Sequence, residues 1–208
     1  MESCDVERLP GWRWPAVAIM SVVFVPLAVL GHEAGHMAGY LAFDFPSPVL
    51  HYASSGFDGE PEFWGSLRAG DVAAAMSIVD IRAAGISAGL GLLVSYLMIS
   101  FAAFAPRRAT SFPAICLGVA AAARFPLILL LAALGRAEHT DEAHVSQALG
   151  IPFALLMTLA GVTLSAAVVG SYLKLPGPHR GKLMAALLGG TAAGTVIWMA
   201  GVGPALLP

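Results

Sequence analysis

The sequence predicts an all-α polytopic membrane protein with about five transmembrane helices. Its 208 residues are 58% hydrophobic and only 12% charged, against about 25% charged in a typical soluble domain. Mean hydropathy is +0.78. Five stretches, residues 14–43, 83–105, 111–135, 151–173 and 183–207, reach the roughly 20 apolar residues needed to cross a hydrocarbon core about 30 Å thick. A single membrane domain covering residues 1–208 is expected, with no internal repeat.

The N-terminal stretch "MESCDVERLPGWRW" carries three acids and two arginines before the first apolar run. It has neither the basic n-region nor the small-residue cleavage site of a secretory signal, so the first span is expected to persist in the mature chain. The loop at 44–82 follows, in which Pro, Ser and Gly bracket a strand-like piece at 49–53 and Asp58-Gly59 offers a turn. A small hairpin is expected there, then a short helix or an early start to the second span at 69–79. Three short loops join the remaining spans.

The eleven Lys and Arg residues divide unevenly between the two sides. Arg8, Arg13, Arg107, Arg108, Lys174, Arg180 and Lys182 fall with the N-terminus, whereas Arg68, Arg82 and Arg136 fall opposite and Arg124 lies within a span. The bias predicts a cytoplasmic N-terminus, with the end of the first span facing the outer side. A net charge of -2 without a basic cluster beyond Arg107 and Arg108 gives no reason to expect nucleic acid. Cys4 and Cys116 are too few for a disulfide framework or a cysteine metal site.

Chemistry concentrates in "VLGHEAGHMAGY", residues 29–40, where His32, Glu33 and His36 interrupt an apolar run. On a helix, His-Glu-x-x-His puts the histidines at i and i+4 on one face, the spacing at which two imidazoles bind one Zn²⁺. Glu33 lies beside them, off the metal, where a carboxylate can take a proton from a zinc-activated water. Ionisable groups at membrane depth are costly and mark functional sites. Chance occurrence of the pattern, with the histidines only hydrogen-bonding inside a bundle, is the plainer alternative.

A catalytic zinc site needs a third protein ligand. No Asp or Glu follows Glu142, so a carboxylate ligand must come from the first long loop or from residues 136–152. The latter segment packs Glu138, His139, Asp141, Glu142 and His144 together and emerges on the same side as His32 and His36. Thr140 reads as the N-cap of a short helix ending near Gly150, with Asp141 and Glu142 in its first turn. Either acid could therefore serve only the helix dipole, and His139 and His144 are rival ligands. His51 reads as a loop residue.

These motifs resemble the site-2-protease-like membrane zinc metallopeptidases, in particular the small bacterial members. The resemblance rests on "LGHEAGHMAGYLAF", the Pro/Gly-rich loop after it, and "TDEAHVSQALGIP" opening a later span. It implies a zinc-dependent peptidase in a bacterial inner (cell) membrane, acting on membrane proteins or peptides. It implies His32 and His36 as zinc ligands, Glu33 as general base and Asp141 as third ligand. "TDEA" stands where better known members carry Leu-Asp-Gly, and those members hold the site toward the cytosol.

Arg124, in the middle of the third span, needs a partner. Asp80 or the site itself could serve, in a structural ion pair or, less simply, in a role on the scissile carbonyl. Pro126 removes a backbone hydrogen bond and is expected to kink that helix. The glycine-rich runs at 85–91 and 189–194 read as close helix contacts. Two other functions compete: a non-proteolytic metal-binding protein that regulates membrane partners, and a small ion-coupled transporter. The second, fourth and fifth spans carry few of the polar groups that a transporter needs.

Overall fold

The computed structural model describes residues 14–104, 112–175 and 177–207. Cys4, Arg8, Arg13, Arg107 and Arg108 lie outside the described residues. Five helical segments are long and apolar enough to cross a membrane: Trp14–Ala42, Ile81–Phe104, Phe112–Ala133, Phe153–Lys174 and Gly177–Leu206. Their outer faces carry large exposed apolar side chains, among them Ile19, Leu27, Leu97, Phe101, Leu127, Leu155 and Val162. In water such surface would be costly, whereas in a hydrocarbon core it is the solvated face.

Helix α1 (Trp14–Ala42) is central. It packs on α4 (Ile81–Phe104), α5 (Phe112–Ala122) and α9 (Arg180–Ile197). Small residues allow these contacts. A Cβ at Gly39 would lie 2.5 Å from Ser87 Oγ, and one at Gly190 would run into the Ala18 carbonyl. Without lipid-excluded hydrophobic gain between helices, such close backbone approach is what holds them together. The fifth span starts at Gly177, earlier than the expected Leu183, with a 3₁₀ turn at Gly177–His179 that leads into α9.

The third span is broken. Helix α5 ends at Ala122 and α6 (Arg124–Ala133) begins after Ala123. Pro126 supplies the cause, because it cannot donate to the Ala122 carbonyl and its ring clashes with that turn.

The first long loop folds onto the ends of α1 and α4. Asp44, at φ 53°, takes the left-handed conformation just past α1. Strands β1 (Val49–Leu50) and β2 (Ser55–Gly56) pair antiparallel, Leu50 opposite Ser55. The expected hairpin is present but shorter than 49–53, since the His51 N–H donates to the Ser54 carbonyl at 2.8 Å and turns the chain there. Asp58-Gly59 instead opens α2 (Glu60–Arg68), with Gly59 in the left-handed region and Pro61 in the first turn. This helix was not anticipated, although Pro at the start, Glu60 and Glu62 in the first turn and Arg68 in the last are helix-boundary signals. Helix α3 (Val72–Met76) is separate from α4 and is capped by Asp71, which accepts from the Ala74 N–H at 3.0 Å. Tyr40, Phe45, Phe57, Phe63 and Trp64 form the small core beneath these pieces.

Two contacts fasten the hairpin to the last span. Trp198 Nε1 donates to the Tyr52 carbonyl at 2.8 Å, and the Tyr52 N–H donates to the Leu207 carbonyl at 3.2 Å. Trp198 begins a π-helical turn, Trp198–Val202, ahead of α10 (Gly203–Leu206).

Candidate metal centre

His32, Glu33 and His36 are buried in the last turns of α1. The motif's spacing brings the two imidazoles edge to face, their ring centroids 4.7 Å apart and their planes nearly perpendicular. Both are held from α4. His32 Nδ1 lies 2.7 Å from the Gly91 carbonyl and 3.0 Å from Ser95 Oγ, and His36 Nδ1 lies 2.9 Å from the Ser87 carbonyl. A carbonyl can only accept, so each Nδ1 carries the proton. In the neutral ring Nε2 is then the lone-pair atom, an assignment made by the network. Position 91 needs glycine, because a Cβ there would collide with the His36 ring at Nε2.

The third group arrives from α7 (Asp141–Leu149), packed on α4. Thr140 caps it, Oγ1 accepting from the Ala143 N–H at 3.3 Å, and Gly150 ends it in the left-handed region, as the sequence indicated. Asp141 in the first turn faces the histidines. Its Oδ2 is 3.0 Å from His32 Nε2, its Oδ1 is 3.5 Å from His36 Nε2, and the two Nε2 atoms are 3.1 Å apart. Ligands of a tetrahedral zinc, with bonds of about 2.0–2.1 Å, stand about 3.3 Å from one another. The three groups match that spacing, and all their ligand atoms lie within 4.8 Å of one another. The three side chains could hold a metal ion, and two imidazoles with one carboxylate suit a divalent transition metal.

Arg124 reaches the centre from the break between α5 and α6. Its Nη2 is 2.6 Å from Asp141 Oδ2 and 3.5 Å from Glu142 Oε2. Asp80, the other partner considered, instead caps α4 by accepting from the Ala83 N–H at 2.8 Å. Burial by itself would raise the Asp141 carboxyl, but Arg124 and then His36 and His32 outweigh it and hold the group well below the usual carboxylate range. Glu142 is fully buried rather than at a solvated helix end. There burial pushes its carboxyl up while Arg124 opposes.

Glu33 accepts a hydrogen bond at Oε2 from Ser55 Oγ, 2.9 Å away in β2. The hairpin thus orients the carboxylate beside the histidines. A cavity of about 510 Å³ joins these groups, lined by Glu33, His36, Asp141 and Arg124 together with Glu60 and Trp64.

The rival ligands His139 and His144 line the same cavity but stand outside the metal-competent group. His139 is exposed, 3.9 Å from Glu138. His144 stacks on Trp64, centroids 3.9 Å apart and 6° from parallel, where burial lowers it to about 4. His51 lies in the hairpin turn and is not part of the metal-competent group. Nothing in the sequence marks Ser55, Ser87, Gly91 or Ser95 as supports. Glu60 and Trp64 would have come into view with α2. Trp64 Nε1 donates to Glu60 Oε1 at 3.3 Å, and burial raises the Glu60 carboxyl.

Comparison with family models, curated proteins and solved structures returns no match.

Proposed function

We propose that the chain is a membrane-embedded zinc metallopeptidase of the site-2-protease-like kind, hydrolysing peptide bonds of membrane-associated substrates. The observation that carries this reading is the convergence of two Nε2 atoms and the Asp141 carboxylate at zinc-ligand spacing, with Glu33 beside them on a shared cavity. A site built only for metal storage needs no orienting donor on an adjacent glutamate, and Ser55 is such a donor.

His32, His36 and Asp141 would hold the zinc, which when bound would supply the Lewis acidity that makes water a nucleophile near neutral pH. The protein's own groups do the rest. Gly91, Ser95 and Ser87 fix the imidazoles. Glu33, its Oε2 held by Ser55, takes the proton of the attacking water and passes it to the nitrogen of the departing amine. Since a helical peptide bond is shielded by its own hydrogen bonding, the substrate must enter the cavity locally unwound.

The test uses purified protein in liposomes with single-span helices that carry helix-breaking residues near the bilayer surface, and casein in detergent as an unfolded substrate. Cleavage is expected, lost with 1,10-phenanthroline and restored by zinc. Turnover that survives metal removal would contradict the reading. A zinc-loaded protein that cleaves nothing would favour a regulator that binds metal and partners without proteolysis.

A further inference from the structure

Arg124 is only partly explained by its ion pairs. Its guanidinium is a fork with two terminal nitrogens, and the carboxylates of Asp141 and Glu142 both engage Nη2. Nη1 is held differently, 3.1 Å from His32 Nδ1 and 3.0 Å from His32 Nε2. A point equally far from both ring nitrogens at that distance lies over the ring face, because within the ring plane it would fall on the ring's own carbon atoms. Neither contact is then a hydrogen bond of ordinary geometry, since imidazole lone pairs lie in the plane. Nδ1 is moreover committed as donor to the Gly91 carbonyl at 2.7 Å. The contact is that of a cationic N–H set against an aromatic face, which uses one N–H bond of Nη1 and leaves its second for another acceptor.

Nη1 is close to the reacting region. Arg124 lines the same cavity as Glu33, and its side chain is 21% exposed there. A buried cation kept only for stability would be fully matched by its carboxylates, since an unmet guanidinium N–H is costly in a site of low dielectric. Here the Nη2 arm is matched by carboxylates, whereas the Nη1 arm meets only the His32 ring. A peptide carbonyl gains negative charge on its oxygen as water adds to carbon, and a fixed cationic donor aimed at that oxygen stabilises the addition more than the ground state.

We propose that Arg124, through Nη1, donates a hydrogen bond to the carbonyl oxygen of the scissile peptide, while Nη2 remains on Asp141. The inference rests on the metallopeptidase reading. Asp141 and Glu142 act as the anchors that hold the fork, and the helix break at Ala123 delivers it to the cavity from a span that otherwise faces lipid and core. Bond making and proton transfer remain with the attacking water and Glu33.

Two probes separate this role from metal binding. In detergent-purified, cobalt-substituted protein the visible spectrum of the metal reports ligand binding. Phenylphosphonate offers tetrahedral oxygens resembling the addition state, whereas 2-mercaptoethanol binds metal through sulfur and offers none. With one cobalt per chain, Arg124→Gln is expected to weaken phenylphosphonate about tenfold or more, in line with a charge-assisted hydrogen bond. Binding of 2-mercaptoethanol should stay within about twofold of wild type, since Arg124 has no contact to offer a thiolate comparable to that with an oxyanion. Arg124→Lys keeps a cation for Asp141 without the fork, so it should retain cobalt and still lose phenylphosphonate affinity.

Unchanged phenylphosphonate affinity in a cobalt-loaded Arg124→Gln or Arg124→Lys protein would overturn the proposal. Equal weakening of both probes, or loss of cobalt from both variants, would overturn it as well, because Arg124 would then act only through the metal's carboxylate. A wild-type chain that takes up no cobalt would instead defeat the metallopeptidase reading.

Discussion

Glu33→Gln is expected to keep a full equivalent of zinc and to lose turnover by roughly 10²–10⁴-fold, the range for a general acid–base group. Glutamine has the same shape, and its amide oxygen can still accept from Ser55 Oγ, now 2.9 Å from Glu33 Oε2. The hairpin contact and the fold should therefore survive. What disappears is the basic oxygen, because an amide cannot carry a proton from water to the leaving nitrogen. Metal content and single-turnover cleavage in liposomes separate the two effects. A variant that cleaves at the wild-type rate would remove Glu33 from the chemistry, whatever the metal does.

Asp141→Ala is expected to weaken zinc by more than about 100-fold, exceeding the 10–100-fold typical of losing a group that merely supports a ligand. Two effects add. One ligand is lost, and Arg124, now 2.6 Å from Asp141 Oδ2, is left as a buried cation beside the imidazoles. Glu142→Gln removes the weaker Arg124 contact, at 3.5 Å, and leaves Asp141 in place, so zinc affinity should fall less than about tenfold. His139→Ala should leave it unchanged, since that imidazole is exposed and paired with Glu138. Competition with a chelating dye measures all three. Zinc bound as tightly by Asp141→Ala as by wild type would exclude the carboxylate as a ligand.

Much of this arrangement is legible in the chain because it follows from length, polarity and local caps. Twenty or more apolar residues make a span wherever they occur, and Thr140 and Gly150 mark the ends of α7 by rules that act within a few residues. The choice among Asp141, His139 and His144 is different in kind. Asp141 and His144 are three residues apart on one helix face, so periodicity turns both toward the cavity. Only the position of Trp64, on the unanticipated α2, shows that His144 is taken up by stacking. Arg124 announced that it needed a partner, but not which, because Asp141 and Glu142 reach it through tertiary packing. The supports of the imidazoles were the least visible. Backbone carbonyls of Ser87 and Gly91 have no residue signature, and Gly91 was indistinguishable from neighbouring glycines that only ease helix contact.

X-ray absorption at the zinc edge of the purified wild-type chain tests the metal centre most directly. One zinc per chain, surrounded by nitrogen and oxygen at about 2.0–2.1 Å, with the multiple scattering of two imidazoles and no sulfur shell near 2.3 Å, is the predicted result. A chain purified with zinc supplied throughout that holds less than about a tenth of an equivalent, or a zinc bound through sulfur, would contradict it.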